Sequence, residues 1–446
     1  MYVKQLLAAG LLALLSPMAG ASLAQLTLDN GLRVIVEPDH RAPVVVQQIW
    51  YDVGSLSEHD GITGISHVLE HMMFKGTPAH PQGEFQALVA RLGGEENAFT
   101  SKAYTSYYQQ IAAAHLDRVM ALEADRMRNT VLSEAEFGKE LKVVQEERRS
   151  RVDDRPQSLL YERFLATAFS ASPERLPVIG WPADLQALTL AELQDWYERW
   201  YVPNNAVLVV VGDVLPETVF ALAKKHYGPI PAGQLRPAKA RPEPEQKGPR
   251  RLSMTLPAQL PYLLIGFKVP SLATAQTPQD AYALSVLAGI LDGGSSARLT
   301  RDLVRTRRLA ASAGASYSML KRDTTLFLLD ATPAGEVTVA QLEEALLAEL
   351  SDIASHGVTA DELDRVKAQV IAADVFDRDS MFRKAVSIGS LAVQGFDVQL
   401  RDDYVAGIQA VTAAQVQSVV QRYLVPAGMT VGVLQPQGDQ QTEAGQ

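Results

Sequence analysis

The chain contains the segment Thr189-Leu-Ala-Glu-Leu-Gln-Asp-Trp-Tyr-Glu-Arg199-Trp-Tyr-Val-Pro203, which runs into an apolar stretch at residues 206–211. A second segment, Thr412-Ala-Ala-Gln-Val-Gln-Ser-Val-Val-Gln-Arg422-Tyr-Leu-Val-Pro426, precedes another apolar stretch at residues 429–434. Thr, Arg, an aromatic residue and Val-Pro recur at the same offsets in both segments. Because an internal repeat constrains architecture better than a single propensity does, we expect a duplicated domain, with one copy in each half.

A proline-rich stretch separates the two halves. Residues 229–251 contain six prolines among Arg, Lys, Glu and Gln, a composition typical of a linker rather than of a core. We therefore expect an N-terminal domain over residues 25–230, a linker over 231–251 and a C-terminal domain over 252–440. Within the first domain, β-branched runs are interspersed with helical patterns, so the sequence indicates mixed α and β structure.

The first 24 residues have the pattern of a secretory signal peptide. Lys4 provides a positive charge, residues 6–15 form a short apolar run, and residues 22–24, Ser-Leu-Ala, offer a small-x-small cleavage site. The apolar run is too short to cross a bilayer comfortably. An uncleaved anchor is the alternative. We expect an exported protein, periplasmic in a Gram-negative bacterium, that begins near Gln25 and has no stable membrane span after cleavage.

Composition narrows the chemistry that the chain can perform. The 446 residues carry a formal charge of −10, which opposes a general role in binding nucleic acid. The sequence contains no cysteine, which excludes disulfides, thiolate zinc sites, iron–sulfur clusters and a cysteine nucleophile. Any metal site must therefore be built from His and carboxylate side chains.

One short motif has the spacing of a metal site. His67-Val-Leu-Glu70-His71 is an H-x-x-E-H sequence, the inverted zincin pattern, on a segment that the sequence predicts to be helical. Residues four apart lie on the same helix face, so both imidazoles can reach one ion while Glu70 projects beside them. The alternative is a pair of surface histidines on an ordinary helix. A catalytic zinc site needs a third protein ligand, here His, Asp or Glu.

An acidic helical segment downstream offers candidates for that ligand. Glu140 and Glu147 are seven residues apart and share a helix face, whereas Glu146 is rotated about 100° away. Taken alone, this segment has the composition of a solvated charged helix. The residues by themselves leave open which glutamate binds a metal.

Together these features resemble the pitrilysin/insulinase family of zinc metallopeptidases, and within it the shorter branch that includes the mitochondrial processing peptidase subunits. The resemblance rests on the H-x-x-E-H motif, the Glu-x6-Glu pair and the duplicated halves, and it covers essentially the whole mature chain. It implies an α+β fold of two homologous domains, each a mostly antiparallel sheet with helices on one face. The C-terminal domain lacks the zinc motif.

The resemblance also implies roles for individual residues. His67, His71 and Glu147 would bind one Zn²⁺ per chain, and Glu140 would support the site by contacting a ligand. Glu70 would be the general base that takes a proton from the water on the zinc. Glu146 is a competitor for the third ligand position; Glu147 is preferred because it shares a face with Glu140. The implied activity is zinc-dependent endopeptidase cleavage of unfolded peptides or short polypeptides.

Substrate-binding residues are implied by the same resemblance. Asn97, Ala98 and Phe99 resemble the family's edge strand, which pairs with a peptide backbone, although the preceding glycines are also ordinary turn residues. Arg305 resembles a family arginine that reaches substrate from the second domain. The tyrosine that accompanies this arginine in the family is absent, since the aligned position is Ala311 or Ser312.

The missing tyrosine leaves partners and role open. A related subunit without the zinc motif could complete the substrate site, as in several members of the shorter branch, so either a homodimer or such a heterodimer is expected. The alternatives to an enzyme are a non-catalytic structural subunit on the same fold and a binder that captures peptides without cutting them.

Overall fold

Two β-sheets, one in each half of the chain, organise the structure. The computed structural model describes residues 23–235 and 241–437, so the predicted signal peptide lies outside the described residues except for its last two positions. Within these ranges no helix has the length and apolarity needed to cross a membrane.

The first half forms a six-stranded sheet with helices packed on it. Its strands are β1 (Ala24–Thr27), β2 (Arg33–Pro38), β3 (Val44–Tyr51), β4 (Glu95–Thr100), β5 (Thr105–Ala112) and β6 (Ala206–Gly212). In the order β1-β2-β6-β3-β5-β4, neighbouring strands are antiparallel except for β2 and β6. Its helices are α1 (Ile65–Met72), α2 (Glu84–Arg91), α3 (Leu116–Asn129), α4 (Glu134–Arg148), α5 (Pro156–Ala168), α6 (Pro182–Ala187), α7 (Leu190–Trp200) and α8 (Pro216–His226).

The second half forms a five-stranded sheet. Its strands are β7 (Arg250–Leu256), β8 (Tyr262–Val269), β9 (Ala310–Tyr317), β10 (Thr325–Pro333) and β11 (Met429–Pro436). The order is β7-β11-β8-β10-β9, with only β7 and β11 parallel. Its helices are α9 (Pro278–Leu291), α10 (Val339–His356), α11 (Ala360–Asp379), α12 (Met381–Val393), α13 (Leu400–Gln409) and α14 (Ala413–Tyr423).

The two repeated sequence segments occupy equivalent places in the two sheets. Helices α7 and α14 both begin with a capping box, formed by Thr189 with Glu192 and by Thr412 with Gln415, which satisfies backbone N–H groups at the helix start. The helices lead into β6 and β11, which have the same position in their sheets. Apart from β1, the strand orders of the two halves correspond one to one. The predicted fold class, two homologous α+β domains, is confirmed.

Each sheet is covered on one face by its own helices and on the other face by a helix from the opposite half. Helix α12 packs on the first sheet, where apolar residues of β2, β3 and β6 form one cluster with Ala385, Ile388 and Leu391. Helix α5 packs on the second sheet, where Phe164 lies against Gly266 and Gly432. These helices occupy equivalent positions in the repeat, so each half contributes the same helix to the sheet of the other half.

A glycine makes the first of these contacts possible. A Cβ atom at Gly389 of α12 would lie 2.1 Å from Nε1 of Trp50, a fully buried side chain of β3. We therefore expect Gly389→Ala to lower the free energy of unfolding by about 1–3 kcal/mol through overpacking, as measured by urea denaturation. Gly138→Ala is the control, since this α4 position has open space around it and should gain about 0.5–1 kcal/mol from helix propensity. Equal effects at both sites would contradict tight packing of α12.

The segment between the halves is bound to both of them. The carboxylate of Glu243 accepts hydrogen bonds from the backbone N–H groups of residues 170–172 and from Lys268 of β8. Strand β7 begins at Arg250, so the last two residues of the predicted linker belong to the second sheet.

Candidate metal centre

Helix α1 carries the H-x-x-E-H motif and begins in the interior of the first domain. Its N-cap residue, Gly64, has a φ of 87°, and a side chain there would meet the backbone of residues 179 and 180. The buried carboxylate of Glu58 accepts hydrogen bonds from the N–H groups of Gly64 (2.8 Å) and Ser66 (3.0 Å). Glu58 therefore accepts hydrogen bonds from backbone N–H groups at the start of the helix that would otherwise be unpaired.

Two histidines of α1 and one glutamate of α4 point at a common centre. The Nε2 atoms of His67 and His71 lie 3.8 and 3.4 Å from the carboxylate oxygens of Glu147. One donor atom from each of the three residues lies within 4.8 Å of the others. Zinc bonds of about 2.0–2.2 Å place tetrahedral donors roughly 3.4 Å apart, so this set fits a zinc ion with one position open for water or substrate.

Burial keeps one of these imidazoles in the form that binds metals. Burial, and then the nearby His71, lower the pKa of His67 to about 3. The ring is therefore neutral at physiological pH and has a free lone pair for a cation.

Glu140 contacts the second histidine, His71, through the ring nitrogen Nδ1. Its Oε2 atom lies 3.1 Å from Nδ1 of His71, and its other oxygen accepts a hydrogen bond from Lys75. Burial raises the pKa of Glu140, but the hydrogen bonds from Lys75 and His71 outweigh this effect and lower it. An ionised Glu140 keeps the proton of His71 on Nδ1 and leaves Nε2 free to face the metal position.

The two candidate glutamates of α4 have different surroundings. The side chain of Glu147 is 15% exposed and faces the histidines, and Arg151 contacts its Oε1 atom. The side chain of Glu146 is 62% exposed and pairs with Arg149 on the outer face of the helix. The geometry thus places Glu147, and not Glu146, beside the histidines.

Glu70 lies next to the three donors without being one of them. Its Oε2 atom accepts a hydrogen bond from the hydroxyl of Thr100, at the end of β4. Burial raises the pKa of Glu70, although the Thr100 hydrogen bond opposes the shift. A carboxylate with a raised pKa, held by one oxygen, is suited to accept a proton on the other.

A cavity of about 870 Å³ contains these residues and one edge of the first sheet. Asn97, Ala98 and Phe99 of β4 line it together with His67, Glu70 and Glu147. Among the described residues, β4 pairs only with β5, so its other edge has no partner strand, and the N–H of Ala98 donates to Oδ1 of Asn97 (2.8 Å). An extended peptide could add to this edge.

Arg305 is not brought to this cavity. It lies exposed in a π-helical segment (Thr300–Thr306) and is not among the residues that line the cavity. Ala311 and Ser312 lie exposed on β9, the edge strand of the second sheet. The role of Arg305 in substrate binding stays a prediction.

Sequence reasoning missed several residues at this site. Tyr161 and Leu165, on the exchanged helix α5, line the cavity. The Arg148 guanidinium, directly after Glu147, forms a buried pair with Glu162 of α5 at 2.7 and 2.9 Å. Nothing in the local sequence marks these residues, because their roles arise from the packing of α4 against α5.

Strand β4 contains a buried acid that should make the free energy of unfolding depend on pH. Both carboxylate oxygens of Glu96 are buried without a hydrogen-bond partner among the described residues, and Arg126 lies 3.9 Å away. Burial raises the pKa of Glu96 to about 7 although Arg126 opposes the shift. The folded state therefore binds the Glu96 proton more tightly than the unfolded state does. The stability that protonated Glu96 contributes is lost as pH rises from about 4.5 to 7.

Glu96→Gln removes this titration. Relative to the wild type, the variant should gain up to about 3 kcal/mol of unfolding free energy between about pH 5 and pH 8, measured by urea denaturation across that range. Glu95→Gln, at an exposed position of the same strand, should leave the pH profile unchanged. Parallel profiles for wild type and Glu96→Gln would contradict the prediction.

Known proteins match both halves of the chain. A family model described as Insulinase (Peptidase family M16) matches residues 33–180, and one described as Peptidase M16 inactive domain matches residues 187–370. The zinc protease PqqE of Helicobacter pylori is 33% identical over 447 residues, covering 97% of this chain and 99% of that protein. A probable mitochondrial-processing peptidase subunit beta of Arabidopsis thaliana is 26% identical and covers 92% of this chain and 78% of that protein.

A solved structure extends the likeness to three dimensions. The crystal structure of a protease from Helicobacter pylori superposes with a TM-score of 0.88 at 32% identity, covering 93% of this chain and all of that one. Sequence and structure agree over nearly the full length of both chains. This chain therefore belongs to the insulinase family of peptidases, family M16.

Proposed function

We propose that this chain is a zinc-dependent endopeptidase that hydrolyses unfolded peptides or short polypeptides. The observation that carries the proposal is the convergence, in one cavity, of a three-residue donor set (His67, His71 and Glu147), a half-buried carboxylate (Glu70) and a strand edge that has no partner strand among the described residues. The zinc protease that is 33% identical over 97% of the chain supports it.

Individual residues of the chain have different roles in the proposed peptide hydrolysis. When bound, zinc would supply a Lewis acid that polarises the scissile carbonyl and makes an attacking water more acidic. Glu70 accepts a proton from that water on Oε1, since Oε2 is held by Thr100, and passes it to the leaving amine. Glu140 keeps His71 in the tautomer that presents Nε2.

The strand edge favours extended substrates. In β4, which contains Asn97, Ala98 and Phe99, the backbone groups that point away from β5 can hydrogen-bond to a peptide whatever its side chains are, which supports broad recognition of unfolded segments. A folded protein would first have to release such a segment. We therefore propose peptides and short polypeptides as substrates.

Location and assembly are part of the proposal. The pattern of residues 1–24 supports export, and in a Gram-negative source a periplasmic location. The second half has no zinc motif, and Arg305 lies away from the cavity. These features support either a homodimer or a heterodimer with a related subunit that lacks the motif.

Metal removal and return test the function. The purified mature chain should cleave a library of quenched fluorescent peptides, lose this activity when zinc is removed with a chelator, and regain it with one equivalent of zinc per chain. If the zinc-loaded chain cleaves none of the peptides, alone or with candidate partner subunits, the peptidase proposal fails. A non-catalytic structural or peptide-binding subunit would then be the better description.

A further inference from the structure

The cavity that contains the metal centre adjoins a second cavity of about 270 Å³. Lys102, Tyr161 and Leu165 line both cavities. Beyond them, the second cavity is bounded by residues 316–318, at the end of edge strand β9, and by Lys321 in the loop that leads to β10. We name this second cavity the distal lobe.

The loop that carries Lys321 is fixed on both sides of it. The buried Met319 accepts a backbone hydrogen bond from Leu272 at 2.9 Å. Arg322 donates to Oδ1 of Asp52 (2.6 Å) and to the carbonyl of Val393 (2.7 Å). The lysine is thus presented to the distal lobe by a loop that is anchored to both halves of the chain.

Lys321 is a cation without a matching anion. Among the described residues, no carboxylate oxygen lies within 4.0 Å of its ammonium group, and the side chain is half-buried. The other lysine of the lobe, Lys102, is paired with Glu174 at 3.2 Å. Burial lowers the pKa of Lys102, Glu174 opposes this, and Lys321 lowers it further. The distal lobe therefore carries excess positive charge.

The carboxylates that line the two cavities are already engaged. Glu162 pairs with Arg148, and Glu174 pairs with Lys102. The remaining two, Glu70 and Glu147, belong to the metal centre. The chain as a whole has a formal charge of −10, yet this lobe carries excess positive charge, and a ligand carboxylate is the group that would balance it.

We propose that the distal lobe binds a carboxylate of the peptide substrate, with Lys321 as the cation and the hydroxyls of Ser316 and Ser318 as further donors. The proposal rests on the peptidase function and names the substrate class within it. The preferred peptides carry a carboxylate, from an acidic side chain or from a free C-terminus, on the far side of Tyr161 from the metal centre.

Peptide binding without turnover tests this assignment. The zinc-loaded Glu70→Gln chain is titrated with labelled peptides in which one Glu is moved position by position, each beside its Gln counterpart and each with a free or amidated C-terminus. At one position, or at the free terminus, the carboxylate should tighten binding by about ten-fold, as expected of a charge-assisted hydrogen bond. A preference for Glu over Gln at one position identifies an acidic side chain as the source of the carboxylate, and a preference for the free over the amidated form identifies the C-terminus.

A lysine substitution assigns the preference to the distal lobe. Adding Lys321→Gln should reduce the preference to less than about two-fold while neutral peptides bind as before. Lys224→Gln, an exposed lysine on α8, should keep it. Equal binding of all Glu and Gln pairs and of both terminal forms, or a preference that survives Lys321→Gln, would overturn the proposal. If the wild-type chain cleaves no peptide but the carboxylate preference still depends on Lys321, carboxylate binding in the distal lobe would be supported and the peptidase function would not.

Discussion

Glu70→Gln is expected to retain one zinc per chain and to lose about 100- to 10,000-fold in kcat/KM, the usual contribution of a general base. The substitution keeps the size of the side chain and an oxygen that can accept the Thr100 hydrogen bond. It removes only the ability to take a proton. Quenched-peptide cleavage gives the rate, and elemental analysis gives the zinc content.

Two neighbouring glutamates separate loss of the base from loss of the metal. Glu147→Gln should lower zinc occupancy as well as cleavage, because Glu147 is the third donor beside the histidines. Glu146→Gln, one position away on the exposed face, should change neither quantity. A zinc-loaded Glu70→Gln chain that cleaves at the wild-type rate would remove Glu70 from the mechanism. Zinc loss in Glu146→Gln rather than in Glu147→Gln would reassign the third ligand.

Arg148→Met is expected to cost about 3–5 kcal/mol of unfolding free energy, the range seen when one partner of a buried ion pair is removed. Arg148 is 2% exposed and Glu162 is 6% exposed, and the guanidinium also donates to the carbonyl of Gly180 at 2.8 Å. The methionine fills much of the space but leaves the Glu162 carboxylate buried without its cation. Urea denaturation measures the loss.

Two comparisons isolate the buried charge as the cause. Arg149→Met, at an exposed pair with Glu146, should change stability by no more than about 0.5 kcal/mol. The double variant Arg148→Met with Glu162→Leu should recover much of the loss, since apolar replacement of both partners is often tolerated. A small effect of Arg148→Met alone would mean that Glu162 finds another partner or is protonated at little cost.

Features that depend on local spacing could be predicted from the sequence. The four-residue spacing of His67 and His71 puts both rings on one face of α1, and the seven-residue spacing of Glu140 and Glu147 does the same on α4. The repeated segments before β6 and β11 predicted the duplicated fold, since a shared capping pattern and a following apolar strand are properties of contiguous residues.

Features that depend on which surfaces meet could not be predicted in this way. The apolar residues of α5 and α12 indicate burial, but their pattern does not say that each helix covers the sheet of the other half. The distal lobe depends on the same exchange, because Tyr161 of α5 meets residues of the β9–β10 region there. Arg305 was placed near substrate by resemblance, and the described chain holds it away from the cavity.

The exchanged helices also affect how long an apolar sheet face stays exposed during synthesis of the chain. During synthesis the first sheet is complete at Gly212, yet the face that includes Trp50 stays uncovered until α12 has emerged, some 180 residues later at about 5–20 residues per second. For roughly 10–40 seconds the nascent chain therefore presents a bare apolar surface. A holding chaperone can bind the apolar surface of a chain in this state, and release from it should coincide with completion of residue 393 rather than with completion of the first domain.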